Sequence, residues 1–414
     1  MVDLWWEDMP PSKSDVPALL TVNAGSSSIK WALFHLGASP VRTASGRIER
    51  IGIPDGIVTV TDRATGQDQR HIAQIPNHAA AVQILIDQLG QSGRGSSLQA
   101  IGHRVVHGGS RYTNPEVIST AVMEELRRLS PYDPEHLPAE LTIIDALRAQ
   151  YPTVPQVACF DTGFHQHLPA VARLLAIPRR YEKQGVRRYG FHGLSYAYLM
   201  EELERVAGHE AAQGKVVLAH LGNGASLAAV RDGVSIDTTM GFTPASGVPM
   251  STRSGDLDPG LVSYLSQTEG MTAEEFHHMV HAQSGLLGLS ELSPDLRDLL
   301  AQERHDTRAA EAVAVFCYQG KKWIGAYAAA LGGLDQLVFS GGIGEHSSVV
   351  RARMCDGLAF LGIQLDQARN DAHESVISAP GSRVTVRVIH TDEERHIAQS
   401  VCRLLDLPLS GGTK

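Results

Sequence analysis

The sequence predicts an α/β protein of two related domains with a nucleotide between them, and three observations carry that expectation. Residues 215–259 open with a β-branched apolar run, break at Gly222-Asn223-Gly224, resume over 225–230 and turn again at Asp232-Gly233. That is strand, tight turn, strand, hairpin turn. Residues 19–33, LLTVNAGSSSIKWAL, repeat the grammar: an apolar run, the turn Asn23-Ala24-Gly25, the hydroxyl cluster Ser26-Ser27-Ser28, and a second strand. A glycine turn lets backbone N–H groups close on a phosphate, because no Cβ stands in the way. Either hairpin alone is equally an ordinary turn; their recurrence roughly two hundred residues apart points to duplication. The third observation is length, since 414 residues exceed the ~250 to 300 at which one core stops growing.

Composition narrows the class. Hydrophobic residues at 43% and charged residues at 20% describe a globular chain with ample core material. A net charge of -9 and a pI near 6.1 argue against a broad nucleic-acid surface but leave room for a local cationic pocket. Cys159, Cys317, Cys355 and Cys402 are far apart and form no Cys-x-x-Cys, which predicts reduced thiols of a cytosolic protein. The first sixteen residues carry acids where a targeting signal carries bases, so they read as a loosely held extension, with Trp5 and Trp6 available for packing. No run of ~18 apolar residues occurs, and no membrane span is expected.

Further along, residues 42–60 read as strand with turns at Gly52 and Asp55-Gly56, and 76–89 as a helix capped by Asn77. The strand 100–109 carries Arg104 between apolar neighbours. A guanidinium there needs an anionic partner, either a ligand or a structural carboxylate. Helices are expected at 118–129 and 138–150, separated by the Pro-rich 130–134. The strand 154–160 delivers Asp161 at its carboxyl end, where open α/β sheets bind ligands. His192, between Phe191 and Gly193, would by itself be an ordinary structural histidine; Arg187 and Arg188 nearby strengthen its claim to function. Arg253 lies in the turn-forming Thr252-Arg253-Ser254-Gly255-Asp256, suited to bidentate recognition of an anion. Thr272 and Glu275 form a capping box, and Pro294 is placed in the first turn of the helix opened by Ser293. A long apolar helix is expected at 309–331. A strand at 334–339 breaks into Ser340-Gly341-Gly342-Ile343-Gly344-Glu345 before a helix over 347–360. That turn is nucleotide-compatible but weakly specific. The last strand, 384–389, delivers Asp392-Glu393-Glu394 at a loop, and a closing helix runs to about Leu405.

Taken together, VNAGSSSIKWALF, GHRVVHGG, FDTGFHQ, RRYGFHG, HLGNGASLAAVRDGVSIDTTMGFTP, TRSGDLDPG, SGGIGE and TDEERHIA resemble, in order and over nearly the whole chain, the acetokinase family of acetate and butyrate kinases. That family lies in the superfamily of sugar kinases, actin and the heat-shock chaperone ATPases. The resemblance implies two duplicated ribonuclease H-like (actin-like ATPase) domains with an interdomain active-site cleft. One domain would take 17–161 with 395–414 and the other 162–394. It implies reversible, Mg²⁺-dependent transfer of the γ-phosphoryl group of ATP to acetate, with Mn²⁺ a possible substitute, in a cytoplasmic homodimer without nucleic-acid or membrane partners. Position by position, it makes Asn23 and Glu393 metal-associated and Lys30 nucleotide-associated. Asp161, His192 and Arg253 become catalytic, Arg104 a carboxylate ligand, and Val106, Tyr132, Phe191 and Pro244 the acyl pocket. His220, Leu221, Gly222, Asn223 and Gly224, then Asp295, Leu296 and Arg297, then Gly342, Ile343, Gly344, Glu345 and His346 become three nucleotide-contacting segments.

The chemistry of the residue types agrees. A carboxylate attacking an anionic phosphoryl group meets like-charge repulsion, which two arginines, a histidine and a divalent cation offset. An acceptor already ionised at neutral pH needs no general base, so Asp161 is expected mainly to orient an arginine or the metal. The chain departs from the family at Tyr132, where a pocket leucine is usual, and the bulkier ring is expected to favour acetate. It departs also at Leu194, Tyr196 and Ser251, and at His346, which replaces an asparagine. A propionate or butyrate kinase would keep every charged residue. A sugar kinase would need a base for a hydroxyl, and a non-catalytic ATP switch would need an appended domain.

Overall fold

The structure, a computed structural model, describes residues 16–407 apart from 26, 38, 64 and 65. The extension expected at 1–16, with Trp5 and Trp6, lies outside the described residues except for Val16, and so does Ser26 of the first hydroxyl cluster. Residues up to Gly163, joined by those from Asp392 onward, make one compact unit; Phe164–Thr391 make the other.

The first unit is organised on β1 (Ala18–Ala24), buried along its whole length, as a central strand covered on both faces must be. β1 pairs antiparallel with β2 (Ser28–His35), which pairs antiparallel with β3 (Val41–Glu49). Beyond β3 lie β4 (Gly56–Asp62) and β5 (Gln67–Ala73), where strict alternation of buried and half-buried residues in β4 marks a sheet with one wetter face. On the other side, β1 runs parallel to β6 (Leu98–Val105), and an edge is formed by β7 (Glu116–Val117) on β8 (Gln156–Phe160), so that the eight-stranded order is β5-β4-β3-β2-β1-β6-β8-β7. Three helices follow from local signals. α1 (His78–Gln91) is capped by Asn77, whose side chain accepts from the Ala80 N–H, α2 (Thr120–Leu129) by Ser119, and α3 (Leu137–Gln150) has Pro138 in its first turn.

The closing helix, Glu393–Leu404, packs on β6 at Gly102, where a Cβ would stand 2.5 Å from Ile397 and 2.8 Å from Val401. Only glycine allows that approach. The acids expected at a loop belong to this helix: Asp392 is its N-cap, accepting from the Arg395 N–H, and Glu393 and Glu394 form its first turn. Carboxylates are favoured there because the unpaired N–H groups carry partial positive charge.

The second unit repeats the plan. β9 (Lys215–Leu221), β10 (Ala225–Arg231), β11 (Val234–Thr238), β12 (Gln336–Ser340) and β13 (Thr385–Val388) lie in the order β11-β10-β9-β12-β13. Order and direction match β3-β2-β1-β6-β8: an antiparallel meander on one side of the central strand and two parallel strands on the other. This is the ribonuclease H-like arrangement, present once in each unit.

Among the helices, α4 (Gly193–Ala207) starts beside His192, α5 (Leu296–Gln302) is short, and α6 (Thr307–Leu331) is capped by Asp306 and stopped by Gly332 at φ 70°. The capping box at Thr272 and Glu275 is formed, with both of its bonds present. Two expectations are corrected. Pro294 precedes α5 rather than entering its first turn, because Asp295 is the N-cap and accepts from the Arg297 N–H. The Gly-rich stretch after β12 is itself helical, α7 (Gly341–His346), and the next helix, α8 (Ser348–Cys355), stops well before Phe360; Gly357, at φ 75°, takes the left-handed turn that breaks it.

Candidate active site

In the first unit the β1–β2 register sets Asn23 opposite Lys30. Asn23 Nδ2 donates to Glu393 Oε2 at 2.7 Å, tying the end of β1 to the closing helix. Burial pushes the neighbouring Glu394 carboxyl up, the Glu393 charge adds to this, and Lys30 opposes it. Arg104 leaves the end of β6 towards the end of the adjacent β8. Its Nε and Nη2 both donate to Asp161 Oδ2, at 3.1 and 2.6 Å, and its Nη1 donates to the Ala24 carbonyl at 3.0 Å. Burial works against the Arg104 charge, but Asp161, Glu140 and Glu393 outweigh it and raise its pKa. Burial likewise raises the Asp161 carboxyl, with Arg104 opposing. Arg104 is thus a charged side chain whose direction is fixed by an almost fully buried acid.

Glu140 is the residue that sequence reasoning missed. It points inward from α3, accepts from the Val106 N–H at 2.9 Å through Oε2, and lies 3.6 Å from Arg104 Nη1 through Oε1. Burial pushes its carboxyl up to about 8, with Arg104 pulling the other way. The available signal was an acid on the apolar stripe of α3, where Leu137, Leu141 and Ile144 are buried.

The donors fit a hard divalent cation. Asn23 and Glu393 offer oxygen ligands, and Asp161 Oδ1 is buried without a hydrogen-bond partner among the described residues. Oxygen donors of this kind suit Mg²⁺ and Mn²⁺.

In the second unit, His192 sits in the left-handed region, at φ 58° and ψ 22°, immediately before α4. Non-glycine residues held there are over-determined by their surroundings. Here the ring is fixed by Ser226, whose Oγ is 2.8 Å from Nδ1 and 2.5 Å from the Tyr196 hydroxyl, and the ring packs on His220 with centroids 4.4 Å apart. Arg253 comes from a turn closed by the Met250 N–H donating to the Arg253 carbonyl, and the Ser251 N–H donates to the Asn223 carbonyl, which joins this turn to the glycine hairpin. The two side chains meet at Gly224: a Cβ there would stand 3.1 Å from His192 Nε2 and 3.5 Å from Arg253 Nη1. Tyr196, noted in the sequence only as a substitution, is therefore part of the support for His192.

The His220–Gly224 and Gly342–His346 segments lie side by side, because β9 and β12 are parallel neighbours that end together. A Cβ on Gly341 would meet the Leu221 carbonyl at 2.6 Å, so the two turns are in backbone contact. Glu345 Oε1 holds the second turn by accepting from the Gly341 and Thr391 N–H groups at 2.9 and 3.0 Å. Leu221 and Leu296 are buried, so only their backbone groups are available to a ligand. The third segment stands at the start of α5, where the bonds of Asp295 and Arg297 run to each other and to Ser293. Of the acyl-pocket set, Val106 and Tyr132 belong to the first unit and Phe191 and Pro244 to the second. Tyr132 packs edge-on against His107, with centroids 5.4 Å apart.

Each unit thus carries a ribonuclease H-like sheet with a glycine turn at the end of its central strand, the architecture of a protein built from two actin-like ATPase domains. The sequence profile of the Acetokinase family matches residues 18–399. An acetate kinase of Bacillus cytotoxicus is 44% identical over 393 residues, which span 93% of this chain and 98% of that protein. A crystal structure of Porphyromonas gingivalis acetate kinase, 36% identical, covers 94% of this chain and 100% of its own with a TM-score of 0.84. A propionate kinase structure from Francisella tularensis, 34% identical, covers 93% and 98% with a TM-score of 0.86. The chain belongs to the acetokinase family.

Proposed function

We infer that this chain is an acetate kinase, joining an acetate oxygen to the γ-phosphorus of ATP as the bond to the ADP oxygen breaks, and running the reaction in both directions. The observation that carries the reading is the Arg104–Asp161 pair. Asp161 gives one oxygen to two N–H groups of Arg104, which is what a positioned carboxylate-binding arginine requires. A hydroxyl acceptor would instead need that acid as a base. In this reading Arg104 receives the acetate carboxylate, while Arg253 and His192 stabilise the charge that spreads over the phosphoryl oxygens. The three glycine- and aspartate-led segments bind nucleotide. Asn23 and Glu393 would hold Mg²⁺, or Mn²⁺ in its place; when bound, the ion supplies charge neutralisation on the phosphates.

Val106 is buried and the Tyr132 ring packs edge-on against His107, and a short acyl pocket is the reading we take from this pair. The Francisella neighbour makes a propionate acceptor the second reading. We further propose a homodimer, by analogy with the family, and a cytoplasmic location. The latter is supported by four cysteines that are all unpaired and buried, two of them, Cys159 and Cys355, with thiols that burial pushes up to about 12. The deciding experiment is trapping of the acyl phosphate as a hydroxamate from Mg²⁺-ATP with acetate, propionate and butyrate. Highest kcat/KM with acetate is expected; highest kcat/KM with a longer acid would transfer the assignment to that acid.

A further inference from the structure

The second unit brings together three side chains that the phosphoryl-transfer reading does not use as a set. Glu345 and His346 end α7, and His390 follows β13. One ligand atom from each lies within 4.8 Å of the others. His390 Nδ1 is 2.7 Å from Glu345 Oε2, and His346 Nε2 is 3.9 Å from the same oxygen. The carboxylate is almost buried and already aimed, because its other oxygen accepts from the Gly341 and Thr391 N–H groups. Both imidazoles are 72% exposed and free to adjust.

We propose that Glu345, His346 and His390 form a binding site for a borderline divalent ion of the Zn²⁺ class, separate from the Mg²⁺ of phosphoryl transfer. Ligands of a tetrahedral zinc stand about 3.3 Å apart, given metal–ligand distances of ~2.0 Å. The 2.7 Å separation opens by about half an ångström and the 3.9 Å one closes by about as much, while the two imidazole nitrogens, up to 4.8 Å apart, close by up to about 1.5 Å, within the reach of exposed rings. Two imidazoles and one carboxylate favour Zn²⁺, Co²⁺ or Ni²⁺ over Mg²⁺, which prefers oxygen and holds its water. The site faces solvent, so water completes the coordination. Its ligands come from the turn after β12 and the segment after β13, and a bound ion cross-links the two.

The test uses the full chain, free of nucleotide and of any affinity tag, in excess Mg²⁺, titrated with Zn²⁺ against a chromophoric chelator. One Zn²⁺ per chain is expected, with affinity falling at least about tenfold in His346→Asn and in His390→Asn. Both side chains are exposed, and circular dichroism checks that the variants fold. Co²⁺ added to the unaltered protein supplies a measurement that needs no variant: paramagnetically shifted imidazole resonances from two histidines are expected. No Zn²⁺ binding, binding retained by the double variant, or Co²⁺ without imidazole signals would each overturn the proposal.

Discussion

Arg104 donates two N–H groups to a single oxygen of Asp161, at 3.1 and 2.6 Å, while its remaining nitrogen holds the Ala24 carbonyl. An amide oxygen in place of the carboxylate oxygen still accepts both bonds, whereas a methyl group accepts neither. Asp161→Asn should therefore keep at least about a tenth of kcat/KM for acetate, and Asp161→Ala should lose about a hundredfold or more, since small misplacements of a binding group cost that much. Equal, severe losses in the hydroxamate assay would reassign Asp161 to a charge or proton role.

Gly224 is not held at positive φ, so alanine is permitted by the backbone there. The added Cβ would nonetheless sit 3.1 Å from His192 Nε2, pushing that ring aside by a few tenths of an ångström, and in ordinary contact with Arg253 Nη1 at 3.5 Å. Gly224→Ala is expected to melt within a few degrees of the parent while kcat falls about a hundredfold. A kcat near the parental value would show that the His192 ring does not act on the reacting group.

Glu140 predicts a pH dependence of stability. Its carboxyl, ordinarily near 4.5, stands at about 8 in the folded protein, so between those values the native state binds a proton that the unfolded chain has lost. A raised pKa stabilises fully below the unfolded value, and the contribution is lost as pH rises towards 8. Relative to Glu140→Gln, the parent protein should lose up to about 4 kcal/mol between pH 5 and pH 8, read from denaturant unfolding. Parallel pH profiles for the two proteins would contradict this.

Tyr132→Leu restores the side chain usual in the family and removes the ring packed on His107. The ratio of kcat/KM for propionate over acetate should rise about tenfold, the scale on which one methylene is discriminated in an apolar pocket. An unchanged ratio would mean that Tyr132 does not bound the acyl group.

Glu393→Gln keeps an acceptor for the Asn23 amide but removes a charge. The Mg²⁺ concentration giving half-maximal rate should rise about tenfold or more, with the ATP requirement at saturating Mg²⁺ changing less.

The parts of the fold written in short apolar runs and glycine turns were legible. β1, β9 and β10 are each bounded by turn-forming residues, Pro17 and Gly25, Gly214 and Gly222, and Gly224 and Asp232-Gly233, and their lengths follow from that punctuation. Errors came where one residue type serves two local purposes. Pro294 suits a first helical turn, yet the Asp295 side chain makes a better cap; Gly341 and Gly342 look like a loop, yet Glu345 folds back on the Gly341 N–H and winds them into a helix. What tertiary structure alone supplies was illegible. The Arg104–Asp161 bond spans 57 residues, and the His390–Glu345 pair spans 45. Glu140 stood on the apolar stripe of α3, which hinted at burial, but its partners Arg104 and Val106 come from the end of a distant strand and only the fold brings them together.

The closing helix has a further meaning for biogenesis. Its Ile397 and Val401 cover β6 at Gly102, and its Glu393 reaches Asn23 at the end of β1. Yet the ribosome makes the whole of Phe164–Thr391 between those strands and that helix. The unit synthesised first is thus the last to be completed: β1 and β6 wait, one face of their sheet uncovered, while the contiguous second unit has all its strands in hand.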